Sequence, residues 1–82
     1  MKTTKYFEFR KTFPDRMAIK MQWIEEVLSH PLRKEIQADG RIRVWGEVEE
    51  AKGKILRVVV LADGETIHNA FFDRDFKKEN NI

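Results

Sequence analysis

The segment TIHNAFFDRDFK, residues 66–77, sets His68, Asn69, Asp73 and Arg74 among the apolar residues Ile67, Ala70, Phe71 and Phe72. An imidazole titrates near neutrality, so His68 can give or take a proton. A guanidinium offers a planar fork of donors that fits a phosphate, and Arg74 stands just past the apolar run. Earlier in the chain Arg41, Arg43 and Trp45 alternate in RIRVW, and Arg57 interrupts KILRVVVL. Arg43 and Arg57 can hold a phosphate, and Trp45 can stack on a base. Each residue has a structural reading beside the chemical one. His68 can be a half-buried, hydrogen-bonded strand residue, and Trp45 the edge of a core. Arg43 and Arg57 can pair across strands with Glu35 or Glu47, and Arg74 with Asp73 or Asp75.

No stronger motif accompanies these groups. A glycine-rich phosphate loop, a metal-ligand spacing and a nucleophile elbow are all missing from the sequence. The two histidines, His30 and His68, lie far apart and there is no cysteine, which argues against a metal site and rules out disulfides. No cofactor is expected. The 82 residues form a single domain, 1–82, of 41% hydrophobic and 37% charged composition. A domain this small buries roughly 60–65% of its unfolded surface, which leaves room for one core and one shallow face. The start has no apolar signal region and no window is long enough to cross a membrane, so the expectation is a cytoplasmic protein. A pI near 9.0 with dispersed arginines and lysines is compatible with a polyanionic partner.

The elements that must position these groups follow from pattern and punctuation. The aromatics of KYFEFR favour a short strand at 5–10, which Pro14 breaks. Met17, Met21, Ile24 and Leu28 fall on one helical face, which predicts a helix over Gln22–Ser29 with Met17 and Met21 in the core. The state of residues 11–20 is open, and Pro31 ends the helix. Beyond it RKEIQ, RIRVWGEV, KILRVVVL and ETIHNAFF read as strands. Each ADG predicts a three-residue hairpin loop with its glycine, Gly40 or Gly64, at positive φ. That register sets Ile36 opposite Ile42. The fold class is therefore α+β: an N-terminal strand plus a four-strand antiparallel meander, with a helix on one face. Residues 78–82 read as a frayed tail.

Alternation then sorts side chains by face. Arg41, Arg43 and Trp45 share one side, and Ile42 and Val44 the other. KILRVVVL is apolar on both sides, so it is a central strand. His68 falls with Ala70 and Phe72, opposite Val58. Asn69 falls with Ile67 and Phe71, so the two point apart unless a bulge intervenes.

The strings WIEEVLSHP, ADGRIRVWGEV and LRVVVLADGETIHNAFFDRDFK resemble those of a group of short bacterial proteins of unknown function, common in cyanobacteria. These resemble in turn the RelE/ParE and BrnT-like toxin superfamily. The likeness spans residues 23–77 and is carried by Asp39–Arg43, Trp45 and His68–Arg74. It implies a toxin of a toxin–antitoxin pair, with a small antitoxin as partner and RNA as substrate. Such ribonucleases place basic residues and a histidine on the last strands, where His68 and Arg74 stand. No tyrosine or paired lysines can be matched to those of the better-known toxins. On this reading the RNA 2′-hydroxyl attacks its own phosphate without a metal. His68 is the acid or base, and Arg43, Arg57 and Arg74 stabilise phosphate charge. Arg41, Trp45, Arg57 and Asn69 bind the RNA. The alternatives are a non-catalytic RNA- or protein-binding module, or a gyrase-directed toxin of the ParE sort.

Overall fold

The turn residues fix the sheet first. A computed structural model, described over residues 1–76, shows strands β1 (Arg33–Ile36), β2 (Ile42–Val48), β3 (Lys54–Val60) and β4 (Ile67–Phe72). They form a four-stranded antiparallel meander in the order β1-β2-β3-β4. Ile36 faces Ile42, and the Gln37 amide donates to the Arg41 carbonyl at 2.7 Å, closing the expected three-residue loop. Gly40 and Gly64 both have positive φ, 91° and 76°. The second turn is one residue longer than expected, because its closing bond runs from the Leu61 amide to the Thr66 carbonyl. The Asp63 carboxylate explains this. It accepts from the Thr66 hydroxyl and from the amides of Glu65 and Thr66, which wrap the turn around it. Those bonds, the Thr66 hydroxyl foremost, bring its pKa down to about 2.

Residues 5–10 are not a strand. They form helix α1 (Lys5–Arg10), followed by α2 (Pro14–Met17) and α3 (Met21–Ser29). The Thr4 hydroxyl caps α1 by accepting from the Phe7 amide at 3.0 Å, and Phe7 alone of the helix's aromatics enters the core. The N-terminal segment adds no named strand; its backbone joins the sheet through a parallel bridge, Thr3 to Ile67. Pro14 starts α2, where its missing amide hydrogen costs nothing. The break at Ala18–Lys20 separates Met17 from α3, and this overturns the expected methionine stripe. Met17 is 69% and Met21 39% exposed, and the buried face of α3 is Trp23, Ile24 and Val27. Residues 77–82, with the expected frayed tail, lie outside the described residues.

Helices α1 and α3 serve one sheet face. Their Phe7, Trp23, Ile24 and Val27 pack on Val44, Val48, Leu56, Val58, Val60, Ile67 and Ala70. A bulge between Val59 and Val60 sets the end of the sheet: Val59 pairs with Asn69, but Val60 pairs with Ile67. His68 is the extra residue. Ile67 and Ala70 therefore both face the helices, and Val58 faces Ala70 rather than His68.

Gly46 lets α3 come down onto β2. A Cβ there would lie 2.9 Å from Val27 Cγ2 and 3.1 Å from Val27 Cα, and backbone does not yield as a side-chain tip does. Gly64 has nothing within 4 Å of such an atom, so only its positive φ penalises a side chain. Gly46→Ala should lose about 1–3 kcal/mol by overpacking. Gly64→Ala should lose about 1 kcal/mol through left-handed strain alone. Chemical denaturation should rank Gly46→Ala below Gly64→Ala; the reverse order would contradict the close approach.

Candidate functional site

The sheet face turned away from the helices carries most of the charged candidates. Glu35 faces Arg43, Arg33 faces Trp45, Trp45 faces Arg57, and Arg57 faces Phe71. These side chains form a layer of guanidinium groups over aromatic rings. The guanidinium carbons of Arg33, Arg43 and Arg57 lie 5.9, 5.8 and 5.4 Å from the Trp45 ring centre. Arg57 also lies 5.2 Å from the Phe71 ring, as does Arg16, which reaches over from α2. Such contacts attract a cation to the ring face and bury its apolar stem.

Arg33 Nε lies 3.2 Å from Glu35 Oε2 and Arg16 Nε 3.3 Å from Asp15 Oδ2, but the carboxylates hold the other two arginines loosely. Arg43 Nη2 is 3.6 Å from Glu35 Oε1, and Arg57 Nη1 is 3.9 Å from Asp73 Oδ2. Both are longer than a charge-assisted hydrogen bond. The Nε atoms of Arg43 and Arg57 are buried and lack a hydrogen-bond partner. Asp73 is instead engaged by the Trp45 indole, which donates to its Oδ2 at 2.9 Å. Trp45 itself is only 5% exposed and stacks on Phe76 with ring centres 5.6 Å apart. A base can therefore reach its face only if Phe76 moves.

Asn69 stands at the edge of this surface and is already committed. Its Oδ1 accepts from Arg16 Nη1 at 2.7 Å and from the Ala70 amide at 2.9 Å. It fixes Arg16 in place and keeps only its amide NH2 for a ligand. Arg74 is exposed past the end of β4, beside the groove lined by Asp15, Lys54 and Phe76.

His68 does not join them. The bulge turns its ring onto Tyr6 of α1, with centres 4.9 Å apart and planes 22° from parallel. Its Nδ1 is 3.1 Å from the Thr4 hydroxyl, which also caps α1. It is partly exposed. Arg74 lies six residues further on, in the turn beyond the end of β4. The cation that His68 does feel is Arg41, in the first hairpin turn. Desolvation, then Arg41, lower the imidazole pKa, and Asp39 opposes them. The structure thus brings Arg43, Trp45, Arg57 and Asn69 to one face, sets His68 against Tyr6 and Thr4 where the Arg41 charge disfavours its protonation, and leaves Arg74 past the end of β4.

Four contributors escaped the sequence reading: Arg16, Arg33, Tyr6 and Thr4. Thr4 carried a usable signal as a hydroxyl residue opening a helix. Arg33 was implied by the expected register, since Ile36 opposite Ile42 sets Arg33 opposite Trp45; Arg16 and Tyr6 depend on tertiary packing alone. Among the described residues no group of three His, Cys, Asp or Glu side chains could hold a metal ion, and no helix is long and apolar enough to cross a membrane. No family model, curated protein or solved structure matches the chain.

The His68 contacts predict a pH response. Its folded pKa lies below the ordinary 6.5, so the fold prefers neutral imidazole. Stability is then level above that value and falls as pH drops through the window between 6.5 and the lowered pKa. His68→Phe keeps a ring against Tyr6 and removes the titration. Thermal melts should show the wild type losing ground to this variant on acidification, while their difference stays constant above neutrality. A constant difference across both ranges would show that His68 titrates as an ordinary exposed imidazole.

Proposed function

We propose that the protein is a nucleic-acid-binding module whose open sheet face holds the phosphates of single-stranded RNA. The observation that carries this reading is the layer of Arg16, Arg33, Arg43 and Arg57 over Trp45 and Phe71, with Arg43 and Arg57 only loosely held by carboxylates. Ring stacking pre-organises a guanidinium and leaves its outer fork for a phosphate. The sheet face is broad and shallow, which suits a flexible strand rather than an enclosed small molecule. Arg43 and Arg57 sit on adjacent strands, diagonal to one another, so successive phosphates can meet successive guanidiniums.

A second reading keeps one observation of its own. The partly exposed, neutral-leaning imidazole of His68 beside Arg41 could accept a proton, as a ribonuclease toxin of the RelE or BrnT kind would need. That reading asks RNA to run from the arginine face to the hairpin end, since His68 and the sheet-face arginines do not share a phosphate site.

Fluorescence anisotropy with a labelled single-stranded RNA, titrated at several salt concentrations, tests the first reading. Binding should weaken as salt rises, and Arg43→Gln/Arg57→Gln should flatten the logarithmic salt slope by about 1.4, roughly 0.7 for each single-strand phosphate no longer neutralised. Salt-independent binding, or an unchanged slope in the double variant, would remove the sheet face from RNA binding. The same RNA, run on a denaturing gel, should stay intact. Cleavage that disappears in a folded His68→Ala protein would replace the module reading with the nuclease one.

A further inference from the structure

The net positive charge of the chain is concentrated at one end. Residues 1–21 contain six of the sixteen Lys and Arg and two of the fourteen acidic residues, so the rest of the chain is net negative. This basic segment is the helical one, and it also holds much of the exposed apolar surface. Phe9 is 61%, Met17 69% and Met21 39% exposed. Phe9 packs edge-on against Phe13 at 5.1 Å, and Arg10 lies 4.4 Å over the Phe13 ring. Between α1, α2 and the start of α3 opens a small cavity of about 60 Å3, walled by Phe7, Arg10, Arg16, Ile19, Met21 and Ala70.

We infer that this groove is a docking site for an acidic amphipathic segment of a partner protein. One apolar side chain would press its tip into the cavity, its neighbours would cover Phe9 and Met17, and flanking carboxylates would meet Arg10 and compete with Glu8 for Lys11. Charge complementarity selects the occupant. The groove wall carries Arg10, Lys11 and Arg16 and no carboxylate; the nearest acids lie outside it, Glu8 2.7 Å from Lys11 and Asp15 4.0 and 3.3 Å from Arg10 and Arg16. Three cations and no carboxylate on the wall repel a basic partner and attract an acidic one. Exposed methionines suit such a surface, because their unbranched side chains adapt to an entering helix. The site shares Arg16 with the sheet face but has its own apolar wall and its own cations, Arg10 and Lys11, and it stands whether or not RNA binds there.

Selection from a displayed library of random peptides against the intact protein is the test. The enriched peptides should carry a large apolar residue flanked by Asp or Glu at helical spacing. Anisotropy with one selected peptide should show at least about tenfold weaker binding to Arg10→Gln, as befits the loss of a hydrogen bond to a charged group. Phe9→Ser, at an exposed position that leaves the core intact, should weaken it similarly. Arg43→Gln/Arg57→Gln should bind it as the wild type does. Failure to enrich, a basic or uncharged consensus, or selected peptides indifferent to both groove variants would each overturn the proposal. So would sedimentation showing a dimer that Phe9→Ser dissolves, which would make the occupant a second copy of this chain.

Discussion

Everything above the sheet depends on how closely α3 can approach β2. Gly46 faces Val27, and their separation leaves no room for a methyl group. With the helix seated this low, Trp23, Ile24 and Val27 join Val44, Val48 and Leu56 in one core. A side chain at Gly46 would lift α3, and the small core has little apolar area with which to offset that loss. The same approach explains why Trp23 is largely buried. Its indole N–H finds Glu50 at 2.7 Å at the rim, so the ring sinks while its polar edge stays paired. That bond, first among several, holds the Glu50 carboxyl below its usual pKa.

Confining α1 and α3 to one face leaves the other without a second layer. A strand such as β3, apolar on both sides, would then show Ile55 and Val59 to water. The chain covers this face with arginine stems and aromatic rings instead of a helix, and Val59 falls to 7% exposed beneath them. Guanidinium is suited to this role because it is weakly hydrated on its flat faces and strongly donating at its edge. The arrangement has a cost: two Nε groups on that face lie buried without partners. A surface built only for stability would pair those groups. Their loose carboxylate contacts are what sets the face apart from an ordinary solvated sheet.

The strands were readable because their signals are local. Asp-Gly turns fix hairpin geometry, and Ile36 opposite Ile42 is the one register of the first hairpin that keeps apolar beside apolar. The faces of β2 followed from alternation alone. Where the reading failed, a distant contact decided the outcome. Tyr6, Phe7 and Phe9 have strand propensity, yet the Thr4 cap and a pocket for Phe7 make helix the better state. Met17 and Met21 match a helical period across a break that no periodicity reveals. The longer turn at Asp63 and the bulge at His68 both insert a residue into the same hairpin. Alternation counted from Thr66 therefore went astray at Ile67 and recovered at Ala70. Of the candidate site, Arg43, Trp45 and Arg57 could be grouped from the sequence, because a ladder of alternating residues determines its own face. Arg16 could not, since it comes from another element.

That bulge also decides how the polar groups are partitioned. By adding one residue to β4 it buries Ile67 with Ala70 and turns His68 toward α1. There the imidazole meets Tyr6 and Thr4, and the Thr4 and Ile67 amides donate to the Ile67 and Lys2 carbonyls at 3.0 and 2.8 Å. His68 thus belongs to the clasp between the N-terminal segment and the sheet. Arg16 links this helical layer to the opposite face. Its guanidinium borders the apolar groove, bonds Asn69 and lies over Phe71, all with a side chain 14% exposed. A largely enclosed, doubly engaged arginine resists displacement, because moving it would break its bond to Asn69 and uncover Phe71 together. The two surfaces are therefore chemically distinct but share one rigid post, and α2, although a single turn long, is held in place from both sides of the sheet edge.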